Sequence, residues 1–448
     1  MKKTIFILFV LTAFIFAGAS EYYDKPFIFP GFHRKYFKDN IKDELLPLDF
    51  ENYKPCAVRL LVDKDEVFPR ALEMMKDAKK SVMFNMYLFG GELGKNIVDL
   101  LKQKMDEGVK IYMIMPEGKE SKEEGEFDEF HERGYMGRPE ARGGHDVKPP
   151  YKEMISYAIQ QGLPVVHAET KFLDTPGLVK IDHSKLIIVD SERALVGGMN
   201  FADTVAKNHD SMVEVVGPYV EEIEKIFINN WLCSYSKQRS GLSIFDKDNS
   251  KNMMRDAVSR GWLKAEAIPT VTSPYKNNTR RVLKRLFDQA KNNIYIEQLL
   301  LNDSDIIKYL LRAAKRGVEV KVIVDPAEHL YSMDWKGGPN NKAIGAFQKL
   351  KKEHKEVNAE VRHYDILPGQ ELHMKLCIVD GMYVGLGSTN FTSGAMRSNY
   401  EAFHIFKSRE LAYAYENLFM NDWETRTRIP DDLSVVESVI GFVSDILF

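Results

Sequence analysis

Two stretches of the chain carry the same chemistry-bearing residues at the same spacing. The first reads His183-Ser-Lys185, then Asp190, then Gly197-Gly198-Met199-Asn200; the second reads His373-Met-Lys375, then Asp380, then Gly387-Ser388-Thr389-Asn390. In a strand, residues i and i+2 point to one face, so placing each motif on a strand projects its His and Lys toward one pocket. A neutral imidazole is a competent nucleophile near pH 7, and a second, protonated imidazole can donate to a leaving oxygen. Two lysines and two asparagine amides can hold the non-bridging oxygens of a phosphate and offset charge that builds in the transition state. That inventory needs no metal, and no cofactor is expected. A single buried histidine is more often a satisfied core residue, and a lysine in an apolar strand is costly without a charged partner. Two copies of the same cost argue for chemistry.

The elements that must position these residues are also written twice. Ala71–Lys79 has helical apolar spacing and leads into the strand-like run Ser81–Phe89; Val282–Lys291 leads likewise into Ile294–Leu301. Each is followed by a helix-period stretch closed by Gly108-Val109 or Gly317-Val318, and then by a β-rich run, Lys110–Met115 or Glu319–Val324. After the His-Lys motifs come Asn208-His209-Asp210 and Asn399-Tyr400-Glu401, and each half closes on a pentad, Phe227-Ile-Asn-Asn-Trp231 or Phe419-Met-Asn-Asp-Trp423. The pentads read as packing anchors. Alternating helices and strands predict an α/β fold of two lobes, each a β-sheet layered by helices.

The duplicated pattern resembles the phospholipase D superfamily, whose signature is H-x-K-x4-D-x6-G-[GS]-x-N in two copies. The resemblance covers about Cys56 to Trp423 and implies pseudo-twofold-related lobes with one active site at their interface, the two imidazoles facing each other across it. It implies a covalent phosphohistidine intermediate, with His183 as nucleophile and His373 as general acid. Lys185, Lys375, Asn200 and Asn390 would bind phosphate, and Ser388 would add a hydroxyl donor where the first copy has Gly198. Asp210 and Glu401 would accept from histidine Nδ1 and set the tautomer. Asp190 and Asp380 belong to the catalytic motif by resemblance, although their place at a strand end looks structural.

Boundaries follow: a signal peptide over 1–19, an aromatic-rich segment over 20–54, a first lobe over 55–237 with an insertion at 117–150, a linker over 238–262, a second lobe over 263–430 and a tail over 431–448. The signal reading rests on Met1-Lys2-Lys3, the apolar run Thr4–Phe16 and Ala17-Gly18-Ala19, with cleavage expected after Ala19 and export to the periplasm or beyond. The insertion, following a strand end and carrying Gly143-Gly144, is expected over the active-site mouth. Three cysteines are too few for a disulfide framework; one bridge, Cys56 to Cys233, is open, and Cys377 reads as a small buried hydrophobe.

The motif identifies the bond and not the molecule. A net charge of −3 does not suit a nuclease that tracks a polyanion. Export favours a phospholipid substrate, and the run Leu195–Asp203 resembles bacterial cardiolipin synthases, a resemblance that implies such a substrate with water or an alcohol as acceptor; a membrane surface is expected as partner, no nucleic acid, and a monomer, since both half-sites lie in one chain. The alternatives are an exported nuclease of the same superfamily and a non-catalytic binding protein on the same scaffold.

Overall fold

The computed structural model describes residues 52–116, 150–168, 171–172, 179–234, 242–273, 277–327, 338–434, 437 and 441. The signal segment and residues 117–149 of the insertion at 117–150 lie outside the described residues. Among those described, no helix is long and apolar enough to cross a membrane.

The first lobe runs β1 (Lys54–Val62), α1 (Asp63–Lys76), β2 (Ser81–Asn85), α2 (Gly91–Asp106), β3 (Lys110–Pro116), α3 (Pro150–Gln160), β4 (Val165–Ala168), β5 (Leu186–Val189), β6 (Arg193–Gly197), β7 (Ser211–Val216) and α4 (Val220–Cys233). A connecting helix, α5 (Lys247–Ser259), follows; its N-cap Asp246 accepts from the backbone N–H groups of Asp248 and Asn249. The second lobe repeats the order: β8 (Leu263–Thr272), α6 (Thr279–Gln289), β9 (Asn293–Gln298), α7 (Ser304–Lys315), β10 (Glu319–Val324), α8 (Asn341–Glu353), β11 (Ala359–Tyr364), β12 (Lys375–Val379), β13 (Tyr383–Gly387), β14 (Glu401–Lys407), α9 (Arg409–Thr425) and a short β15 (Thr427–Arg428).

The expected two α/β lobes are present, and their sheets are continuous: the strands form one fifteen-stranded sheet, ordered β15-β11-β10-β9-β12-β13-β14-β8-β1-β7-β6-β5-β2-β3-β4. The order is a mirror about the β8/β1 pair, where Cys56 lies opposite Ala265 in an antiparallel ladder. Each strand of the first lobe has its counterpart seven labels later. The seam satisfies the backbone of both lobes' first strands and so leaves neither as an open edge.

One face of this sheet carries a single apolar core that crosses the seam, with Val58, Ile188 and Val213 of the first lobe continuous with Ile378 and Phe406 of the second under α4 and α9. The aromatic ends of the pentads fill it: Phe227 stacks on Trp231 at 6.1 Å and Phe419 on Trp423 at 5.9 Å. On the opposite face each lobe has its own core, under α1–α3 or α6–α8.

Helix ends follow the sequence signals. Gly108 and Gly317 take φ of +92°, and Val109 and Val318 then bond back to Lys104 and Ala313 carbonyls, a Schellman closure that a residue with Cβ would strain. Cys56, Cys233 and Cys377 are all unbridged, which removes the Cys56–Cys233 pairing: Cys56 is buried in the central strand β1 while Cys233 closes α4. Because the shared core spans the seam, both lobes should unfold as one unit. Trp231→Ala is expected to cost about 3–5 kcal/mol and to shift one undivided denaturant transition; two separated transitions by tryptophan fluorescence and circular dichroism would contradict the shared core.

Candidate active site

The parallel strands β2, β3 and β4 end where the antiparallel strand β5 begins, with Asn85 opposite Leu186. The second lobe repeats this with Gln298 opposite Lys375. The two motifs therefore start at the carboxyl ends of the parallel strands, where α/β folds bind ligands. The histidines are not themselves in strands: β5 begins at Leu186 and β12 at Lys375, so His183 and His373 sit on the segments leading in. Their backbones are held by the other lobe instead. His183 N–H donates to Tyr400 O at 2.9 Å and Tyr400 N–H to Ile181 O at 2.8 Å; His373 N–H donates to His209 O at 2.8 Å and His209 N–H to Glu371 O at 2.9 Å.

The carboxylates cross over in the same way. Glu401 Oε2 lies 3.1 Å from His183 Nδ1, and Asp210 Oδ2 lies 2.6 Å from His373 Nδ1. Each therefore serves the histidine of the other copy, whereas sequence order pairs each with the histidine that precedes it. His183 Nδ1 also faces the Ser388 carbonyl at 3.0 Å. Both neighbours of this nitrogen accept, so Nδ1 carries the hydrogen and Nε2 keeps its lone pair. Burial, with the Lys185 charge second, pushes the His183 imidazole down to about 4. It is neutral at pH 7.

Lys185 and Lys375 are both buried, and each donates to the carbonyl of its own motif histidine at 2.6 Å. Lys185 also lies 5.2 Å from the centre of the Tyr87 ring, whose edge meets His183. Neither ammonium has a carboxylate within 4 Å among the described residues. Burial pushes Lys185 down to about 7 and Lys375 to about 8. The Glu401 and Asp210 carboxylates act on both amines from a distance, and a pair of buried, partly deprotonated amines with no carboxylate in direct contact leaves room for an incoming anion. The amide of Asn200 is tied at its oxygen, which accepts from Leu88 N–H at 3.2 Å, leaving its NH2 to donate; Asn390 Oδ1 is buried without a partner.

Two assignments change. Ser388 does not offer a free hydroxyl to phosphate: Oγ donates to Glu401 Oε2 at 2.5 Å and accepts from Ala402 N–H at 3.0 Å, so it positions the carboxylate behind His183. Its counterpart Gly198 is glycine because a Cβ there would lie 2.6 Å from Asp210 Oδ1. Asp190 and Asp380 sit just past the far ends of β5 and β12, at the opposite end of each strand from the imidazoles. Asp190 accepts from the backbone N–H groups of Lys79, Lys80 and Ser81, and Asp380 from those of Lys291, Asn292 and Asn293. Each aspartate ties the end of its own strand to the start of β2 or β9. The motif glycines Gly197 and Gly387 clear space for the neighbouring strand: a Cβ would meet Ser211 O at 2.3 Å or Ala402 O at 2.2 Å.

Residues with no signal in the motif complete the site. Asp182 accepts from Asn85 Nδ2 at 3.0 Å, Asn230 Nδ2 at 3.1 Å and Ser184 N–H at 3.0 Å, holding the segment before His183. Asp325 Oδ2 and Asn208 do the same for Leu372 and Glu371, ahead of His373. The pentads thus carry a polar task besides packing, through Asn230 and, at the equivalent position, Asp422.

A family model described as "Cardiolipin synthase, PLD-like domain" matches residues 71–231 and 283–423. The chain belongs to this phospholipase D-like family. Its curated relatives include cardiolipin synthase A of Pseudomonas fluorescens (strain SBW25), 22% identical over 82% of this chain and 70% of that one, and a cardiolipin synthase of Clostridium perfringens (strain SM101 / Type A), 22% identical over 93% and 82%. Among solved structures, the phosphatidylserine synthase of Haemophilus influenzae Rd KW20 superposes with a TM-score of 0.59 at 13% identity, covering 84% of this chain and 89% of that one. A polyphosphate kinase from Porphyromonas gingivalis superposes with 0.53 at 10% identity, covering 84% and 48%. These likenesses show the fold. The family makes the protein an enzyme of phospholipase D type.

Two measurements check the geometry. Sulfate, which does not titrate near neutrality, should bind more weakly as pH rises through about 7 to about 8, because Lys185 and then Lys375 lose the charge that attracts it; affinity that is flat from pH 6 to 9 by calorimetry would contradict this. Asp190→Ala, which strands three backbone donors, should lower stability by about 1–3 kcal/mol with turnover per folded molecule retained. Loss of turnover at full stability would return Asp190 to the catalytic set.

Proposed function

We propose that the protein is an exported enzyme that transfers a phosphatidyl group of a phospholipid through a covalent phosphohistidine, to an alcohol of a second lipid or to water. The observation that carries this reading is the pair of crossed His–carboxylate couples beside two buried lysines that no carboxylate touches directly. His183 Nε2 attacks phosphorus while the P–O bond to the leaving alcohol breaks, and His373, backed by Asp210, gives that oxygen its proton. In the second half-reaction His373 takes a proton from water or an alcohol, which displaces His183 and restores the free enzyme. Lys185, Lys375, Asn200 and Asn390 hold the non-bridging oxygens as charge builds on them. Glu401 and Asp210 fix the tautomers from across the interface, and Ser388 fixes Glu401.

A lipid substrate is supported by the family description, by the names of the curated relatives and by a net charge of −3, which gives no global attraction for nucleic acid. Both half-sites lie in one chain, which favours a working monomer. Export rests on the N-terminal sequence alone.

Incubation with phosphatidylglycerol and with phosphatidylcholine, with and without added alcohol, should yield phosphatidyl-transfer products or phosphatidic acid. Cleavage of single-stranded DNA with no lipid turnover would replace this reading by the nuclease one. The roles are asymmetric, so His183→Asn should abolish the adduct while His373→Asn still forms it slowly from substrates whose leaving group needs little protonation. Acid-quenched mass spectrometry locates the phosphate; label on His373 alone would reverse the two roles.

A further inference from the structure

On the α4/α9 face of the sheet, behind the reacting groups, lies a second buried cluster that the chemistry above does not use. His209, from the segment before β7 of the first lobe, projects between Glu297 on β9 and Asp422 on α9 of the second. Its Nε2 lies 3.0 Å from Asp422 Oδ2 and 4.0 Å from Glu297 Oε1, and all three donor atoms fall within 4.8 Å of one another. All three side chains are buried.

Glu297 is the informative member. It is fully buried, and neither of its carboxylate oxygens has a hydrogen-bond partner. An ionised carboxylate in that state costs several kcal/mol unless a counter-charge or proton meets it. Burial raises its affinity for a proton accordingly. The imidazole beside it is already occupied on both sides by other carboxylates. Nδ1 lies 3.0 Å from Asp63 Oδ1, and the ring is stacked on Tyr364 at 5.5 Å with 4° between planes.

With no ion bound both nitrogens face carboxylates and both carry hydrogen; a cation that displaces the Nε2 proton would leave the arrangement a histidine ligand takes up, with Nδ1–H donated to a carboxylate that fixes the ring and Nε2 turned toward further oxygen donors. We propose that His209 Nε2, Glu297 and Asp422 bind one divalent cation of the zinc class, with Asp63 orienting His209, so that the ion ties the two lobes together beneath the active site. One nitrogen and two carboxylate oxygens leave a fourth position for water, a donor set that suits Zn2+. In a tetrahedral site, bonds of roughly 2.0–2.2 Å hold donor atoms about 3.3–3.6 Å apart, so the outermost pair, now within 4.8 Å, closes by up to roughly 1.5 Å on binding, a shift of side-chain rotamers. Two positive charges also answer the cluster's surplus of carboxylates, which a protonated His209 alone offsets by only one. Asp63, with 42% of its side chain exposed, marks the side from which the ion enters.

The ion would act by position. Asp210 follows His209 directly, its N–H donates to Asp63 Oδ1 at 3.0 Å, and His209 O holds His373 N–H. Fixing His209 therefore fixes both partners of the second His–carboxylate couple.

The test uses the full chain, stripped with chelator and dialysed against zinc chloride, with zinc per chain read by mass spectrometry and the thermal midpoint recorded with and without zinc. About one zinc per chain and a raised midpoint are expected, with zinc lost in Glu297→Gln and in Asp422→Asn but kept in the double variant His183→Asn, His373→Asn. Cobalt substitution of the unmutated chain gives an absorption band diagnostic of low coordination by nitrogen and oxygen, and keeps the question open to measurement should a cluster variant fail to fold. An unmutated chain with no zinc, no midpoint shift and no cobalt band would overturn the proposal and leave His209 as an imidazolium clamp. Zinc lost only from the double variant would overturn it too, by placing the ion at the active site.

Discussion

Each histidine of the site is held by the half of the chain to which it does not belong. Glu401 faces His183 and Asp210 faces His373, while the main-chain bonds from His183 to Tyr400 and from His373 to His209 cross the same interface. Neither lobe by itself has a histidine in a defined tautomer. Catalytic competence and lobe docking are therefore one event, and the fused sheet and the core beneath α4 and α9 supply the rigidity that keeps donor and acceptor within hydrogen-bond reach.

The electrostatics of the interface follow from that exchange. Two lysines, two histidines and two carboxylates are withdrawn from water together, and the protein does not close the lysines into ion pairs. Burial leaves His183 neutral and weakens the hold of Lys185 and Lys375 on their protons. The anion that binds there restores the missing charge, so binding energy is concentrated where the phosphate sits. A carboxylate salt-bridged to either lysine would cancel this, and the carboxylates are occupied elsewhere: Glu401 by Ser388 and His183, Asp210 by His373 and the Ser211 N–H.

The two copies are not equivalent in their supports. Ser388 braces Glu401, whereas Gly198 stands at the matching place because Asp210 occupies the space a side chain would need. Asp182, ahead of His183, is held by the amides of Asn85 and Asn230; the matching positions in the second lobe are Glu297 and Asp422, which meet His209 instead. The duplication has thus been specialised around a common frame, with amides behind one histidine and carboxylates behind the other.

The sequence by itself determined the periodic and local features. The repeat of helix and strand, the Gly108-Val109 and Gly317-Val318 helix ends and the aromatic pentads each depend on neighbours a few residues away, and those are written in order along the chain. The matched motifs likewise bring His183, Lys185, His373 and Lys375 into view, because an unusual residue set at a fixed spacing needs no tertiary information. Contacts between residues far apart were decided only on folding. The lobes share one sheet because β1 and β8 each present an edge that the other pairs. The carboxylates cross over because β7 and β14 enter at the interface, where the nearer histidine is the other lobe's. Asp190 and Asp380 look like motif chemistry until the backbone donors of β2 and β9, brought to them by strand pairing, are seen to use every oxygen they have. His209, Glu297 and Asp422 share no spacing at all; they meet because a loop, a strand and a helix from opposite lobes converge there.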